Sequence, residues 1–254
     1  MTNSCRISVL CPIHLCGEHE LWCIQSIINQ KVNFIYEFIL VCNGPNSSFI
    51  YARLNSLFSS FCFVKVCSIA EVGILPALNY GLKQCRGQII VRADADDFSF
   101  PYRLQVISDT FMDNPSVHIV YSSSFVVNSL SKGRLSQAFP SSCLSLCLPF
   151  FNPIFHPTAS FSLPQCSRSS YPDCSYQEDY AFWLHLKFRS SLNFMNINSP
   201  LVVRYDYSKD FDYVKKQYAS RLCLLASYFP RPLFLVSYLV HSFRFFLINL
   251  RHLL

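Results

Sequence analysis

Short apolar runs alternate with helical patterns through the first half of this 254-residue chain, and this alternation restricts the fold more than any other feature. Continuous apolar runs bounded by turn residues predict strands over residues 7–11, 34–41, 61–66, 88–91 and 117–121, the first of them ended by Pro12. Apolar side chains spaced three and four apart predict helices over residues 21–28, 51–58, 75–82 and 104–112. Strand and helix units of about 30 residues predict βαβ crossovers and a parallel sheet, which binds its ligands where the strands end.

A cluster of carboxylates follows the fourth predicted strand, in the run Arg92-Ala93-Asp94-Ala95-Asp96-Asp97. Clustered anions repel each other unless a cation lies between them. Side chains alternate along an extended segment, so we expect Asp94 and Asp96 to point the same way and Asp97 to support the turn. Two such carboxylates suit a hard divalent cation that also holds phosphates. The alternative is a solvated acidic turn that binds nothing.

Composition limits the class of partner and the redox compartment. Hydrophobic residues make up 51% of the chain and charged residues 14%, and the formal charge of +6 comes from scattered basic residues. Because no basic cluster carries interleaved aromatics, we do not expect a nucleic-acid partner. The first residues do not resemble a secretory signal, so the 13 cysteines are expected to be reduced thiols of a cytoplasmic protein. Five residues near the N-terminus have the composition of a zinc cluster, but their spacing fits no zinc motif: Cys11, His14, Cys16, His19 and Cys23.

The second half of the chain has weaker periodicity. The serine-rich stretch over residues 122–145 is predicted to be a surface loop. Two motifs follow it, Asn152-Pro153-Ile154-Phe155-His156-Pro157-Thr158 and Tyr176-Gln177-Glu178-Asp179-Tyr180, and the second opens a predicted helix over residues 181–188. On the residues alone, Asp179 is a charge at a helix N-terminus and His156 is a partly buried structural side chain.

Five motifs in this order resemble those of the family 2 glycosyltransferases of the GT-A fold, over about residues 6–200. They are Pro12 with Ser26-Ile27-Ile28-Asn29-Gln30, the turn Asn43-Gly44, the helix with Gly73 and Asn79, the acidic run with Pro101, Arg103 and Leu104, and the pair of motifs around His156 and Glu178-Asp179. The resemblance implies a Rossmann-like, mostly parallel central sheet flanked by helices, and the residues beyond it predict a C-terminal helical tail. It also implies inverting, metal-dependent transfer of a sugar from a nucleotide-diphosphate sugar, with a UDP-sugar favoured.

The resemblance assigns donor binding residue by residue. Pro12, Asn43, Arg92 and Asp94 would bind the nucleotide sugar. Asn43 would contact the base, where the family usually has Asp, and its amide oxygen can still accept a hydrogen bond. Asp96 would ligate the Mg²⁺ or Mn²⁺ that bridges the donor diphosphate.

The resemblance also assigns the acceptor side. Asp179 would be the catalytic base that takes the proton of the acceptor hydroxyl. Acceptor-side or supporting roles fall to His156, Glu178 and Asp97. Ser162 stands where the family often has a basic residue, which changes the contacts available to the acceptor or to phosphate.

The C-terminal segment is apolar and aromatic from about residue 228, and a helix is predicted from Leu233. Its basic and histidine side chains recur near helical spacing and leave a broad apolar face, which favours a helix lying on an anionic membrane over one packed on the protein's own sheet. We therefore expect a GT-A domain over residues 1–205 and a membrane-associating helical extension over residues 206–254. Peripheral contact with the cytoplasmic face of the inner membrane would suit a lipid-linked acceptor, as in bacterial surface polysaccharide assembly.

The sequence therefore predicts a metal-dependent, inverting glycosyltransferase that takes a nucleotide-sugar donor and a saccharide or lipid-linked acceptor. A nucleotidyltransferase is the first alternative, but it would need a glycine-rich, basic loop after the first strand, where residues 12–17 hold one glycine and no Lys or Arg. The second alternative is a binding or scaffold protein on the same fold whose site has decayed. Asn43 and Ser162 favour it, whereas the intact acidic run and Asp179 argue against it.

Overall fold

The computed structural model describes residues 6–128, 132–162, 170–174, 176–206, 211–230, 236, 238–240 and 242. Contacts divide the chain into two units. The first comprises Met1–Ala138, Ile154–Ser170 and Leu192–Tyr207, and the second comprises Phe139–Pro153, Tyr171–Ser191 and Ser208–Leu254. The division at residue 205 into a catalytic domain and an extension stays a prediction.

The first unit begins with the alternation that the sequence predicts. Its elements are β1 Ile7–Ile13, α1 Glu18–Ile28, β2 Tyr36–Cys42, α2 Ser47–Phe58, β3 Val64–Ser68, α3 Ile74–Gln84 and β4 Ile89–Arg92. After the acidic run come β5 Phe98–Ser99, α4 Arg103–Asp113, β6 Ile119–Asn128, β7 Gly133–Ser136, the 3₁₀ turn His156–Thr158, β8 Ala159–Ser162 and β9 Phe194–Asp206.

Within the described residues, nine strands form one sheet in the order β3-β2-β1-β4-β8-β6-β9-β5, and β7 pairs with β6. The four strands of the first half are mutually parallel, which confirms the predicted βαβ crossovers. From β4 onwards the sheet is mixed, because β8 runs antiparallel to both β4 and β6 while β9 runs parallel to β6. The β1 to β4 half brings the ends of its strands to one edge, where ligands of parallel sheets bind.

Apolar side chains of α1 and of the first strands share one core. Ile24, Ile27 and Ile28 of α1 are buried against it at the helical spacing read from the sequence, together with Val9 of β1 and Phe38 of β2. Each fully buried side chain of this size contributes about 1.5 to 3 kcal/mol of hydrophobic free energy. This packing fixes α1 beside the strand ends that follow it.

Two sequence predictions about strands were wrong. β1 does not end at Pro12 but runs to Ile13, whose carbonyl accepts the N–H of Asn43 on the β2 side. Pro12 therefore faces the β4 side, beyond the last β1–β4 pair at Leu10, where its missing N–H breaks no ladder.

The serine-rich stretch over residues 122–145 is only partly a loop. β6 continues through Ser122, Ser123 and Ser124, which are buried, and β7 pairs with it over Gly133–Ser136. Serine is small enough to be buried in a central strand. The high serine content of this stretch therefore led to a wrong loop prediction.

The regular secondary structure described in the second unit is helical. It contains the 3₁₀ turn Ser141–Cys143, α5 Leu144–Cys147, α6 Glu178–Leu184, the π turn His185–Arg189 and α7 Phe211–Tyr228. The Tyr180 hydroxyl donates to the Leu148 carbonyl, and the Tyr171 ring stacks on Phe182 with centroids 4.2 Å apart.

The C-terminal segment is described only in part. None of the helices in the described part of the chain is long and apolar enough to cross a bilayer. The helix predicted from Leu233 lies largely outside the described residues, since 231–235, 237, 241 and 243–254 are not among them.

Candidate active site

A cleft of about 650 Å³ opens in the first unit where β1, β2 and β4 end and α3 begins. It is lined by Pro12, His14, Leu15, Glu20, Asn43, Gly44, Pro45, Asn46, Val72, Gly73, Ile74, Arg92, Asp94, Ala95 and Asp96. Small-molecule and cofactor sites usually occupy about 300 to 1,000 Å³, so the cleft can enclose a ligand of nucleotide size. The five residues that the sequence assigns to nucleotide and metal binding all belong to this lining.

Asn43 directly follows β2 and is held from two sides. It is 5% exposed, its backbone N–H donates to the Ile13 carbonyl, and its side-chain Nδ2 donates to the Gly73 carbonyl at 2.9 Å. Because the NH₂ group is committed to a carbonyl, Oδ1 is the atom of this amide that can accept a bond from a ligand. Gly73 has φ +115°, a conformation that favours glycine, and it directs Val72 and Ile74 to the cleft.

Arg92 ends β4 beneath the acidic run. Its side chain is 1% exposed, and its guanidinium forms an ion pair with Asp94, whose carboxylate is 32% exposed. The second terminal nitrogen of Arg92 lies 3.4 Å from the Leu10 carbonyl. Arg92 thus balances the charge of one of the three clustered carboxylates and leaves the other two to be balanced otherwise.

Asp94 and Asp96 both line the cleft, although the reason given from the sequence was wrong. The chain is not extended here: β4 ends at Arg92, and a turn follows in which the Asp97 N–H lies 3.3 Å from the Asp94 carbonyl. The turn, rather than strand alternation, brings the two side chains to the same cavity. Asp97 is 7% exposed and is not part of the lining, and its Oδ1 accepts the N–H of Tyr205 at 3.3 Å.

The surroundings of Asp96 and Asp97 disfavour the charged forms of these two carboxyl groups. Burial, and then the charge of Asp94, raise the pKa of Asp96. Burial raises the pKa of Asp97 well above its ordinary value, and the neighbouring Asp94 and Asp96 raise it further. A cation bound beside these carboxylates would favour their charged forms and lower both pKa values.

The donor atoms fit a hard divalent ion that shares its coordination with a ligand. Among the described residues, no group of three or more His, Cys, Asp or Glu side chains is arranged to hold a metal ion by itself. Mg²⁺ and Mn²⁺ are commonly held by one or two carboxylates together with substrate phosphates, and Asp96 and Asp94 can supply that number.

Arg103 joins the acidic run to the segment around His156. It is 2% exposed and donates to the Ser99 hydroxyl at 2.9 Å and to the carbonyls of Arg92 and Pro157 at 2.6 and 2.7 Å. His156 is buried in the adjoining 3₁₀ turn, and burial together with the charge of Arg92 lowers its pKa well below the ordinary value, so its imidazole is neutral at pH 7. The hydrogen bonds of Arg103 therefore hold the backbone before the acidic run against the backbone beside His156, which is a structural role.

Glu178 and Asp179 lie in the second unit, at the first turn of α6. Asp179 Oδ2 accepts the Asn152 Nδ2–H at 2.8 Å, and Oδ1 accepts the backbone N–H of Tyr180 at 2.7 Å. An acidic side chain at this position interacts favourably with the helix dipole. Asn152 was not predicted as a site residue, because its contact with Asp179 joins positions 27 residues apart.

Several cleft residues were missed by the sequence reasoning. They are His14, Glu20, Pro45, Asn46, Val72 and Ile74. Pro45 and Asn46 follow Asn43 in the same turn, which could have identified them. Val72 and Ile74 are apolar and 74% and 37% exposed, and only their approach to the β2 end gives them a place in the site.

Comparison with known proteins gives a family. Residues 8–182 match the family model described as Glycosyl transferase family 2. An O-antigen biosynthesis glycosyltransferase, WbnJ of Escherichia coli, is 29% identical over 183 residues, which are 71% of this chain and 71% of that protein. The Escherichia coli UDP-Gal:alpha-D-GlcNAc-diphosphoundecaprenol beta-1,3-galactosyltransferase is 30% identical over 206 residues, 78% of this chain and 73% of that protein.

Solved structures show the same fold at low identity. TarS residues 1–349 of S. aureus, in complex with UDP, has a TM-score of 0.63 and 15% identity over 88% of this chain and 70% of that one. A mannosyltransferase of Pyrobaculum calidifontis, in complex with GDP-Man and Mn²⁺, has a TM-score of 0.58 and 16% identity over 89% of this chain and 64% of that one. These similarities confirm the predicted GT-A fold.

Proposed function

The chain belongs to glycosyl transferase family 2, and on this premise we propose that it transfers a sugar, with inversion and with a divalent metal, from a UDP-sugar to a saccharide or lipid-linked saccharide. The observation that carries the proposal is the convergence of Pro12, Asn43, Arg92, Asp94 and Asp96 on one cleft. These side chains come from the ends of three parallel strands and combine an amide, a cation and two carboxylates, which are the groups that a nucleotide diphosphate needs.

The amide of Asn43 supports uracil as the base. Its Oδ1 can accept the N3–H of uracil, while its Nδ2 stays on the Gly73 carbonyl. A relative named for UDP-Gal and a structural neighbour bound to UDP favour the same nucleotide. Pro12 lines the same cleft.

Asp96, with Asp94 beside it, would hold Mg²⁺ or Mn²⁺ against the donor diphosphate. The raised pKa of Asp96 and the Mn²⁺ bound to a structural neighbour favour this assignment. When bound, such an ion acts as a Lewis acid that stabilises the negative charge of the departing diphosphate. Arg92 contributes a buried positive charge to the same end of the cleft, and its ion pair with Asp94 orients that carboxylate.

In the proposed reaction the acceptor hydroxyl oxygen attacks the anomeric carbon while the bond from that carbon to the diphosphate oxygen breaks. The electron pair of that bond leaves with UDP, and the hydroxyl proton passes to the Asp179 carboxylate. A single displacement of this kind inverts the anomeric centre. Hydrogen bonds from Asn152 and from the Tyr180 N–H hold the two oxygens of Asp179 in a fixed orientation.

The acceptor is proposed to be a saccharide carried on a lipid, in surface polysaccharide assembly. A relative named for O-antigen biosynthesis and another named for a diphosphoundecaprenol acceptor favour this class. His156 and Glu178 would support the acceptor side, and Asp97 the acidic turn. Residues 206–254 would extend the catalytic domain of residues 1–205 toward the cytoplasmic face of the inner membrane.

A donor screen tests this function. The protein is incubated with Mn²⁺ and each of a panel of UDP-, GDP- and dTDP-sugars, and release of the free nucleoside diphosphate is followed with and without a GlcNAc-diphospho-lipid acceptor. We expect release from a UDP-sugar, stimulated by acceptor and abolished by EDTA. Release of pyrophosphate from a nucleoside triphosphate and a sugar phosphate would instead identify a nucleotidyltransferase, and UDP binding without any release would identify a decayed binding protein.

A further inference from the structure

One side of α1 contacts the segment that follows the acidic run through a series of polar side chains. Ser26 Oγ accepts the backbone N–H of Ser99 at 2.9 Å. Gln30, two residues beyond the end of α1, donates to the Phe100 carbonyl at 2.8 Å and accepts the Leu104 N–H at 3.0 Å. Since side chains three and four residues apart share a helix face, the same face continues toward the N-terminus of α1 at Trp22 and His19.

His19 is the contact of this series that reaches the acidic turn itself. Its ring Nε2 lies 2.9 Å from the backbone carbonyl oxygen of Asp96. A carbonyl oxygen only accepts, so Nε2 must carry the proton and donate. Three residues further along α1, near this contact, the Trp22 ring stacks on Phe98, with centroids 4.6 Å apart.

The His19 ring is itself fixed. It meets the Tyr205 ring edge-on, with centroids 4.5 Å apart and planes at 88°, and the Cys23 Sγ lies 3.7 Å from the same Nε2. Tyr205 in turn donates its backbone N–H to Asp97. The two acids at the end of the turn are therefore held by α1 through His19 and by β9 through Tyr205.

We propose that His19 is a positioning residue that sets the metal affinity of Asp96. His19 does not line the cleft, as judged on the described part of the chain, so it acts through the Asp96 peptide rather than on the ligand. A bond to that carbonyl fixes the peptide plane that follows Asp96, and thereby the direction of the carboxylate. This inference rests on the proposed function, in which Asp96 holds the cation.

A matched pair of variants isolates the hydrogen bond. In His19→Gln the amide nitrogen lies the same number of bonds from Cα as Nε2 and can still donate, whereas His19→Met has the same length and no donor. Mn²⁺ binding to the protein–UDP complex is measured from the free-ion electron paramagnetic resonance signal. Removing a partner of a metal ligand typically lowers affinity about 10- to 100-fold. We therefore expect Met to weaken Mn²⁺ binding by that factor relative to Gln, with Gln close to the native protein.

His118 supplies the control. Its Nδ1 accepts the Asn193 N–H at 3.1 Å, and it lies at the opposite end of the strands from the acidic turn, since Ser162, bonded to the His118 carbonyl, pairs with the first residue of β4. His118→Met should leave Mn²⁺ affinity unchanged, and UDP affinity measured in EDTA should be the same in all variants. A variant that had lost its structure in general would show both a lower Mn²⁺ affinity and a lower UDP affinity in EDTA.

The outcomes distinguish a failure of the positioning role of His19 from a failure of the metal assignment of Asp96. Equal Mn²⁺ affinities in His19→Met and His19→Gln overturn the positioning role, provided that Asp96→Asn weakens Mn²⁺ binding. If Asp96→Asn leaves Mn²⁺ binding unchanged, the metal assignment itself is wrong, and the role of His19 falls with it. If UDP affinity in EDTA differs between His19→Met and His19→Gln by the same factor as Mn²⁺ affinity does, His19 serves the fold alone, and the proposal is also overturned.

Discussion

Replacing Asn43 by alanine tests the recognition of the base in two separable ways. In the free protein, Asn43→Ala removes the 2.9 Å bond from Nδ2 to the Gly73 carbonyl. A net contribution of about 1 kcal/mol is typical of such a bond, so the free energy of unfolding should fall by about that amount. In the proposed complex it removes the Oδ1 acceptor as well, so the N3–H of uracil would lose its partner.

The expected loss of UDP affinity follows from the free energy of one hydrogen bond. One neutral bond in the complex is worth about 1 to 1.5 kcal/mol, which corresponds to roughly 5- to 12-fold weaker UDP binding. N3-methyl-UDP cannot donate from N3, so it should bind the native protein more weakly than UDP does. Asn43→Ala should cause little further loss for this methylated nucleotide.

The assay is calorimetric titration of both proteins with both nucleotides in Mn²⁺, with urea unfolding in parallel. Asn46→Ala is the matched control, because Asn46 belongs to the same turn and lines the same cleft but makes no capping bond with its side chain. Equal weakening of UDP and N3-methyl-UDP by Asn43→Ala would show that Asn43 shapes the cleft without reading the base. No weakening of either nucleotide would remove it from the site.

Three further results are expected. Asp179→Asn should retain UDP affinity but lose about 10²- to 10⁴-fold in turnover, because its loss removes the proton acceptor; a near-native rate in the transfer assay would refute its role as base. Gly87→Ala should lower the urea midpoint through a cost of about 1 to 3 kcal/mol, since an added Cβ would lie 2.4 Å from the Ser8 backbone nitrogen, whereas Gly133→Ala, in open space, should not; equal midpoints would contradict this close approach. Burial raises the pKa of Asp97 well above its ordinary 3.8, so the folded protein retains a proton that the unfolded chain has lost, and without metal the free energy of unfolding should fall as pH rises above about 4. Asp97→Asn should flatten that fall in urea titrations at pH 5 and pH 8, and an unchanged slope would count against a protonated Asp97.

The placement of Asn43 and Asp94 at one cleft could be predicted because it follows from short-range rules. Apolar runs identify β2 and β4, and in a parallel sheet their ends meet at one edge, which brings Asn43 and Asp94 to the same cleft. The helical period of α1 was likewise visible in the sequence. None of this required knowledge of contacts between distant residues.

The rest depended on contacts that a local pattern does not encode. β9 was missed because Pro200 interrupts it, and its register with β6 shifts next to Ser123, so no regular alternation marks the strand. The turn that brings Asp96 beside Asp94 is closed by a backbone bond and was read as extended chain. His19 was considered only as a zinc ligand, since its bond to Asp96 spans 77 positions.

The contact of Asp179 with Asn152 could not be predicted from the sequence. Asp179 stands at the start of α6 with Asn152, a contact within the second unit that no motif predicts. Its proposed role as base comes from the resemblance to the family, and Asp179→Asn tests it directly.

The most direct test of the account is UDP binding by native protein and Asp96→Ala, measured by calorimetry in Mn²⁺ and in EDTA. We expect Mn²⁺ to increase the UDP affinity of the native protein and of Asp113→Ala, whose exposed carboxylate ends α4, and to give no increase in Asp96→Ala. The same Mn²⁺-dependent increase in Asp96→Ala as in the native protein would contradict the assignment of the acidic turn to a metal-bound nucleotide diphosphate.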